Sequence, residues 1–157
     1  MRLRNRPHSN ILRRAKEPPG GEYMQITKIN GAISASANIG VNAGYGHSNE
    51  VGINLDDLCE LNKKLAAQVM AETGVYVSSV IGETRCCYSD DWGCPKGGEK
   101  TFSLSADCNP TYSSLPTEEY TEKWKLSFLR LVELLMEELE QSAVTAKVGN
   151  EVLYFSR

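Results

Sequence analysis

Three groups of residues have side chains suited to chemistry. The first lies in a glycine-rich segment, GVNAGYGHSNEVG (residues 40–52), which contains Tyr45, His47 and Glu50. Imidazole gains and loses a proton near neutral pH, so His47 is a candidate acid or base. The bare N–H groups beside glycine can also surround an oxyanion. Neither phosphate-binding signature is present. No Gly-Lys-Ser/Thr run opens a helix, and Gly40, Gly44 and Gly46 do not reproduce G-x-G-x-x-G. Tyr45 and His47 are therefore candidate contacts for a small ligand rather than a nucleotide cradle.

The second group is Asp90, Asp91 and Trp92 in the polar stretch SDDWGCPKGGE (residues 89–99). A tryptophan flanked by acids in such a stretch suits an interface or a stacked ligand. Adjacent carboxylates usually point apart, which argues against paired acid–base work. The third group is cysteine. Five occur, at 59, 86, 87, 94 and 108, so at least one cannot pair within the chain. Cys86, Cys87, Cys94 and Cys108 are the candidate thiolate ligands for zinc, with Asp90, Asp91 or His47 completing the set. The spacing lacks the paired C-x(2–4)-C knuckles of zinc modules, so no metal is expected, and no cofactor either. A disulfide from Cys86 or Cys87 to Cys94 is an alternative. Reduced thiols in a cytoplasmic protein are favoured over both, and Cys59 reads as a small buried hydrophobe. No G-x-S-x-G or other nucleophile motif is present.

The elements that must position these groups follow from periodicity. Met24–Ile39 reads as strand, with Asn30-Gly31 as a hairpin turn. Asn54 caps a helix over 55–72, built on Leu58, Leu61, Leu65 and Val69 and stopped at Thr73-Gly74. Val75–Ile81 is rich in β-formers. Phe102, Leu104, Ala106 and Cys108 alternate with Thr101, Ser103, Ser105 and Asp107, as in a half-buried strand. Tyr120, Trp124, Phe128, Leu131, Leu135 and Leu139 form the stripe of a helix over 117–141, with Ser114 or Leu115 at its cap. Val144, Ala146 and Val148, a Gly149-Asn150 turn and Val152–Phe155 complete the sheet. The order β(β)αββαβ(β) predicts an α+β ferredoxin-like two-layer sandwich, an antiparallel sheet with two helices on one face.

Charge divides the chain. Residues 1–16 hold six basic side chains and no acid, so the other 141 carry 11 basic and 20 acidic ones. The +6 segment reads as part of a basic tail (1–22) ahead of a −9 single domain (23–157). Such acidity disfavours nucleic acid, as does the lack of an aromatic platform on the central strands, except for contact through the tail. No apolar run approaches the ~18–20 residues that span a bilayer, so no membrane partner is expected. The broad apolar face of the second helix, the strand-rich C-terminus and the absent catalytic motif predict a small non-enzymatic binding or accessory domain that self-associates. A protein partner is compatible with this. The alternative is a small-molecule enzyme with its site between the 40–50 and 86–98 loops, and a second alternative is nucleic-acid contact through the tail.

Overall fold

The computed structural model describes residues 26–41 and 52–157. The chain runs β1 (Ser34–Gly40), α1 (Leu55–Thr73), β2 (Val80–Cys86), β3 (Glu99–Asp107), α2 (Thr117–Glu138), β4 (Ala143–Val148) and β5 (Glu151–Ser156). The strands form one antiparallel sheet in the order β2-β3-β1-β4-β5. Both helices pack on one face, giving the two-layer α+β sandwich that the periodicity predicts. The basic tail lies outside the described residues.

Alternation decides which residues enter the core. Ala35, Ala37 and Ile39 of β1 pair with Ala106, Leu104 and Phe102 of β3, and all six point towards the helices. Val144, Ala146 and Val148 extend this layer. From above, α1 contributes Leu58, Leu65 and Val69, and α2 contributes Trp124, Phe128, Leu131 and Leu135. The Trp124 and Phe128 rings stack at 5.8 Å, one helical turn apart. Small alanines in β1 and large side chains on β3 and α2 let the layers interlock at close-packed density.

Helix ends follow their sequence signals. The Asn54 side chain accepts from the Asp57 N–H at 2.8 Å, and Gly74 closes α1 with a φ of 79°. The cap of α2 differs from expectation: it is Pro116, which makes no side-chain cap bond. Arg130 joins the helices by donating to Glu72 at 3.0 Å, and its guanidinium holds the Glu72 carboxyl below its ordinary range.

Two strands depart from the expected pattern. Asn30-Gly31 is a turn with Gly31 at φ 75°, but residues 26–29 form no strand beside it. Thr121 donates to the Gly31 carbonyl at 3.1 Å, so the start of α2 holds the turn in place of a partner strand. The apolar run from Val75 is not strand either. Val75 and Val77 are buried in an extended segment beside α1, where Asn62 donates to Ser79 at 2.9 Å. The strand begins only at Val80. Cys59 is half-buried rather than buried.

Candidate active site on the open sheet face

The face away from the helices is mostly polar, with Val80 on β2 and Val152 and Tyr154 on β5 as its exposed apolar residues. It presents Thr84 and Cys86 from β2, then Glu99, Thr101, Ser103, Ser105 and Asp107 from β3. From β1 it presents Ser34, Ser36 and Asn38, and from β4 Thr145 and Lys147. Its two ends differ.

At one end, β1 and β2 finish and β3 and β4 begin: Gly40 lies opposite Thr101, Cys86 opposite Glu99, and Asn38 opposite Thr145. The strand leading into the glycine-rich segment and the β2–β3 connection therefore share this end. Here the open face is not open. Glu99 is 8% exposed and Thr101 9%, whereas Ser34, Ser36, Ser105, Asp107 and Lys147 lie in solvent. Thr84 and Thr101 share a hydroxyl–hydroxyl bond of 2.8 Å. Gly40 and Gly82 stand opposite Thr101 and Ser103 without side chains, and Ser103 donates to the Gly82 carbonyl at 3.5 Å. The connection is fastened nearby. The Gly98 N–H donates to the Pro95 carbonyl at 2.9 Å, and Arg85 donates to the Gly98 carbonyl at 3.4 Å. The Glu99 carboxylate lies on the same face as the Thr84 and Thr101 hydroxyls, a polar setting for a small ligand.

At the other end, Ser34, Ser36, Ser105, Asp107, Lys147 and Asn150 line a shallow concavity of roughly 540 Å³. Ser34 donates to Asp107 at 2.6 Å. Its charged groups are solvent-exposed, so each interaction there is screened.

The expected site residues are distributed unevenly. Tyr45 and His47 lie outside the described residues. Asp90, Asp91 and Trp92 form a short 3-10 turn in the β2–β3 connection, with Ser89 accepting from the Asp91 N–H at 3.3 Å. All three are exposed, Trp92 by 66%, so Trp92 is not folded over the hairpin. Among the described residues no group of three or more His, Cys, Asp or Glu side chains could hold a metal. Cys86, Cys87 and Cys94 sit at the loop end of the sheet. Cys108 lies past the far end of β3, where its N–H donates to Ile33 at 2.8 Å and burial pushes its thiol up. Glu99 and Thr101 carry no motif, because alternation marks Thr101 only as ordinary sheet surface and the polar set begins there. A Glu in phase with that set, directly after Gly97-Gly98, was the available signal.

Residues 32–156 match the family model described as SAM lyase. The chain belongs to the SAM lyase family. No curated protein matches it. Two solved structures are similar in fold. One is a phage SAM lyase in complex with S-methyl-5'-thioadenosine, with a TM-score of 0.58 and 14% identity over 85% of this chain and 97% of that one. The other is a phage SAM lyase in the apo state, with a TM-score of 0.52 and 16% identity over the same shares. Membership in an enzyme family overturns the expectation of a non-enzymatic accessory domain and favours the small-molecule enzyme alternative. No helix among the described residues is long and apolar enough to cross a membrane.

Proposed function

We propose that this protein cleaves S-adenosylmethionine at the bond between the sulfonium sulfur and the amino-acid γ-carbon, releasing S-methyl-5'-thioadenosine. The observation that carries this is the SAM lyase family match across 32–156. The thioadenosine bound to a phage relative of the same fold agrees with it.

The chemistry explains why so plain a site suffices. The substrate carries its own leaving group, a sulfonium that departs as a neutral thioether. It also carries its own nucleophile, the α-carboxylate. Closure of a carboxylate oxygen onto the γ-carbon makes a five-membered lactone as the carbon–sulfur bond breaks, with no proton transferred and no water consumed. Intramolecular closures of this kind gain greatly from orientation alone. The step also annihilates a positive and a negative charge, which is favoured where water is excluded. The protein's task is to bind, fold and dry the substrate.

In this reading the substrate occupies the loop end of the open sheet face. Glu99 faces the sulfonium, and Thr84 and Thr101 offer hydroxyls to its polar substituents. The bare backbone at Gly40 and Gly82 gives close approach. Tyr45 and His47, on the segment that leaves β1 at this end, remain candidate substrate contacts. The protein works in the cytoplasm, a reading supported by five cysteines that form no disulfide.

The test is incubation of the purified protein with S-adenosylmethionine, followed by chromatography and mass spectrometry. Thioadenosine and homoserine lactone in equal amounts are expected. Homoserine carrying oxygen from labelled water at the first time point would replace the lyase with a hydrolase. An unsaturated amino acid would replace cyclisation with proton abstraction from the β-carbon. Intact substrate would remove the proposal.

A further inference from the structure

The cysteines of the β2–β3 connection take no part in the proposed chemistry, yet two of them border the turn that leads into Glu99. The Pro95–Gly98 turn is closed by the Gly98 N–H donating to the Pro95 carbonyl at 2.9 Å. The Cys94 thiol donates to that same carbonyl at 3.7 Å. The Cys87 sulfur lies so near Gly98 that a Cβ there would stand 3.0 Å from it. Thus Cys87 and Cys94 both lie against a turn whose last residue precedes Glu99. Cys87 is exposed and Cys94 half-buried, so both are within reach of a small reagent. Ser89 to Gly93, between them, is exposed, and Gly93, Gly97 and Gly98 all have φ above 80°. A segment with such hinges can bring two α-carbons to the ~4.4–6.8 Å that a disulfide needs.

We infer that Cys87 and Cys94 form a thiol–disulfide switch that draws the β2–β3 connection against the end of the sheet that carries Glu99 and Thr101. The oxidant is a low-molecular-weight disulfide such as oxidised glutathione. One cysteine thiolate attacks a glutathione sulfur, forming a mixed disulfide and releasing one glutathione thiol. The second cysteine thiolate attacks the protein-side sulfur, forming the Cys87–Cys94 bond and releasing the other glutathione. Two protein thiols are oxidised and one glutathione disulfide is reduced. The cross-link pulls Cys94 across Gly98 towards Glu99, so the oxidised form admits substrate poorly and the reduced form is active. The effect on catalysis rests on the proposed lyase reading, whereas bond formation does not.

The experiment treats the full-length protein with oxidised glutathione and follows three readouts. Thiol titration is expected to fall from five to three, and a non-reducing peptide map to contain a Cys87–Cys94 cross-link. Cleavage of S-adenosylmethionine is expected to fall on the order of tenfold, as for coupled sites of ordinary strength, and to return with dithiothreitol. C87S and C94S are each expected to keep the reduced activity and lose the sensitivity. A stable mixed disulfide on Cys86, a cross-link through Cys86, or an intact cross-link with unchanged activity each overturns the switch. If the reduced protein cleaves nothing, the lyase reading is what fails. The switch is then decided by the peptide map and by tryptic cleavage at Lys96, which the cross-link should slow and whose unchanged rate would sink it.

Discussion

Replacing Glu99 with Gln removes one charge and keeps the shape of the side chain, so it tests the role assigned to that carboxylate. A ligand atom lying one cross-strand spacing away on the open face would be ~5–6 Å from it. Two unit charges about 6 Å apart attract by about 2.8 kcal/mol at an effective dielectric constant of about 20. The amide dipole retains part of this, leaving an expected loss of about 2 kcal/mol, or roughly 30-fold in kcat/KM. How the loss is divided is more telling than its size. The sulfonium charge is present in the bound substrate and fades as the carbon–sulfur bond breaks, so Glu99 stabilises the ground state at least as well as the transition state. E99Q should therefore raise KM and leave kcat unchanged or higher. Thioadenosine carries no sulfonium, and its affinity should be the same for both proteins. Chromatographic initial rates supply the kinetics, calorimetry the product affinity, and a thermal melt confirms folding. A folded E99Q with wild-type KM would refute the assignment. A kcat collapsed at constant KM would make Glu99 a base and revive proton abstraction.

Other perturbations test the frame that holds the site. Phe128 is fully buried between the helices and the sheet, so F128A should cost about 3–5 kcal/mol and lower Tm by roughly 10–20 °C in calorimetry. Gly97 and Gly98 both have positive φ, but only at Gly98 would a Cβ meet the Cys87 sulfur, the Cys86 carbonyl and the Arg85 Cβ within 3.2 Å. G98A should therefore destabilise by about 1–3 kcal/mol in urea titration, and by more than G97A. The Glu72 carboxyl is held below its ordinary value by the Arg130 guanidinium, so its stabilising effect is complete above the unfolded value of 4.5 and is lost as pH falls through the lowered folded one. Urea midpoints of wild type and E72Q should differ at pH 7 and converge at low pH; a gap that persists would contradict the pairing. Self-association is expected at micromolar concentration in sedimentation, with exposed Val80, Val152 and Tyr154 bordering the open face; a clean monomer would refute it.

How much of this was legible depended on whether a residue's fate is local. The Asn54 cap, the α2 stripe and the β3 alternation were readable because each rests on a period or a neighbour within one or two turns of chain. The strand expected at Val75 was not readable. Val75 and Val77 are β-formers, but burial beside α1 satisfies them equally well without a ladder, and only tertiary packing decides between the two. Asn30-Gly31 made its turn, but α2, almost ninety residues away, is what holds it. The chemistry was less legible still. His47, Asp90, Asp91 and Trp92 stand out in the sequence because reactive side chains in polar loops are the ordinary signature of a site. The described part of that set is solvent-exposed, while Glu99, the acid assigned to the substrate in the proposed function, is an ordinary strand residue distinguished by its burial.

A reaction whose substrate contains both nucleophile and leaving group places few demands on side-chain chemistry, which bears on what the absence of a motif can mean. Acyl transfer needs a nucleophile, a base and an oxyanion hole, and these leave spacing in the sequence. Collapse of a carboxylate onto a carbon bearing a sulfonium needs only proximity and dryness. Both can be supplied by strand backbone, hydroxyls and one buried acid, residues that composition counts as ordinary sheet surface. Under the proposed lyase chemistry, the burial of Glu99 and Thr101 on a largely polar face says more about the site than a catalytic motif could, because such a reaction asks chiefly for shielding from solvent.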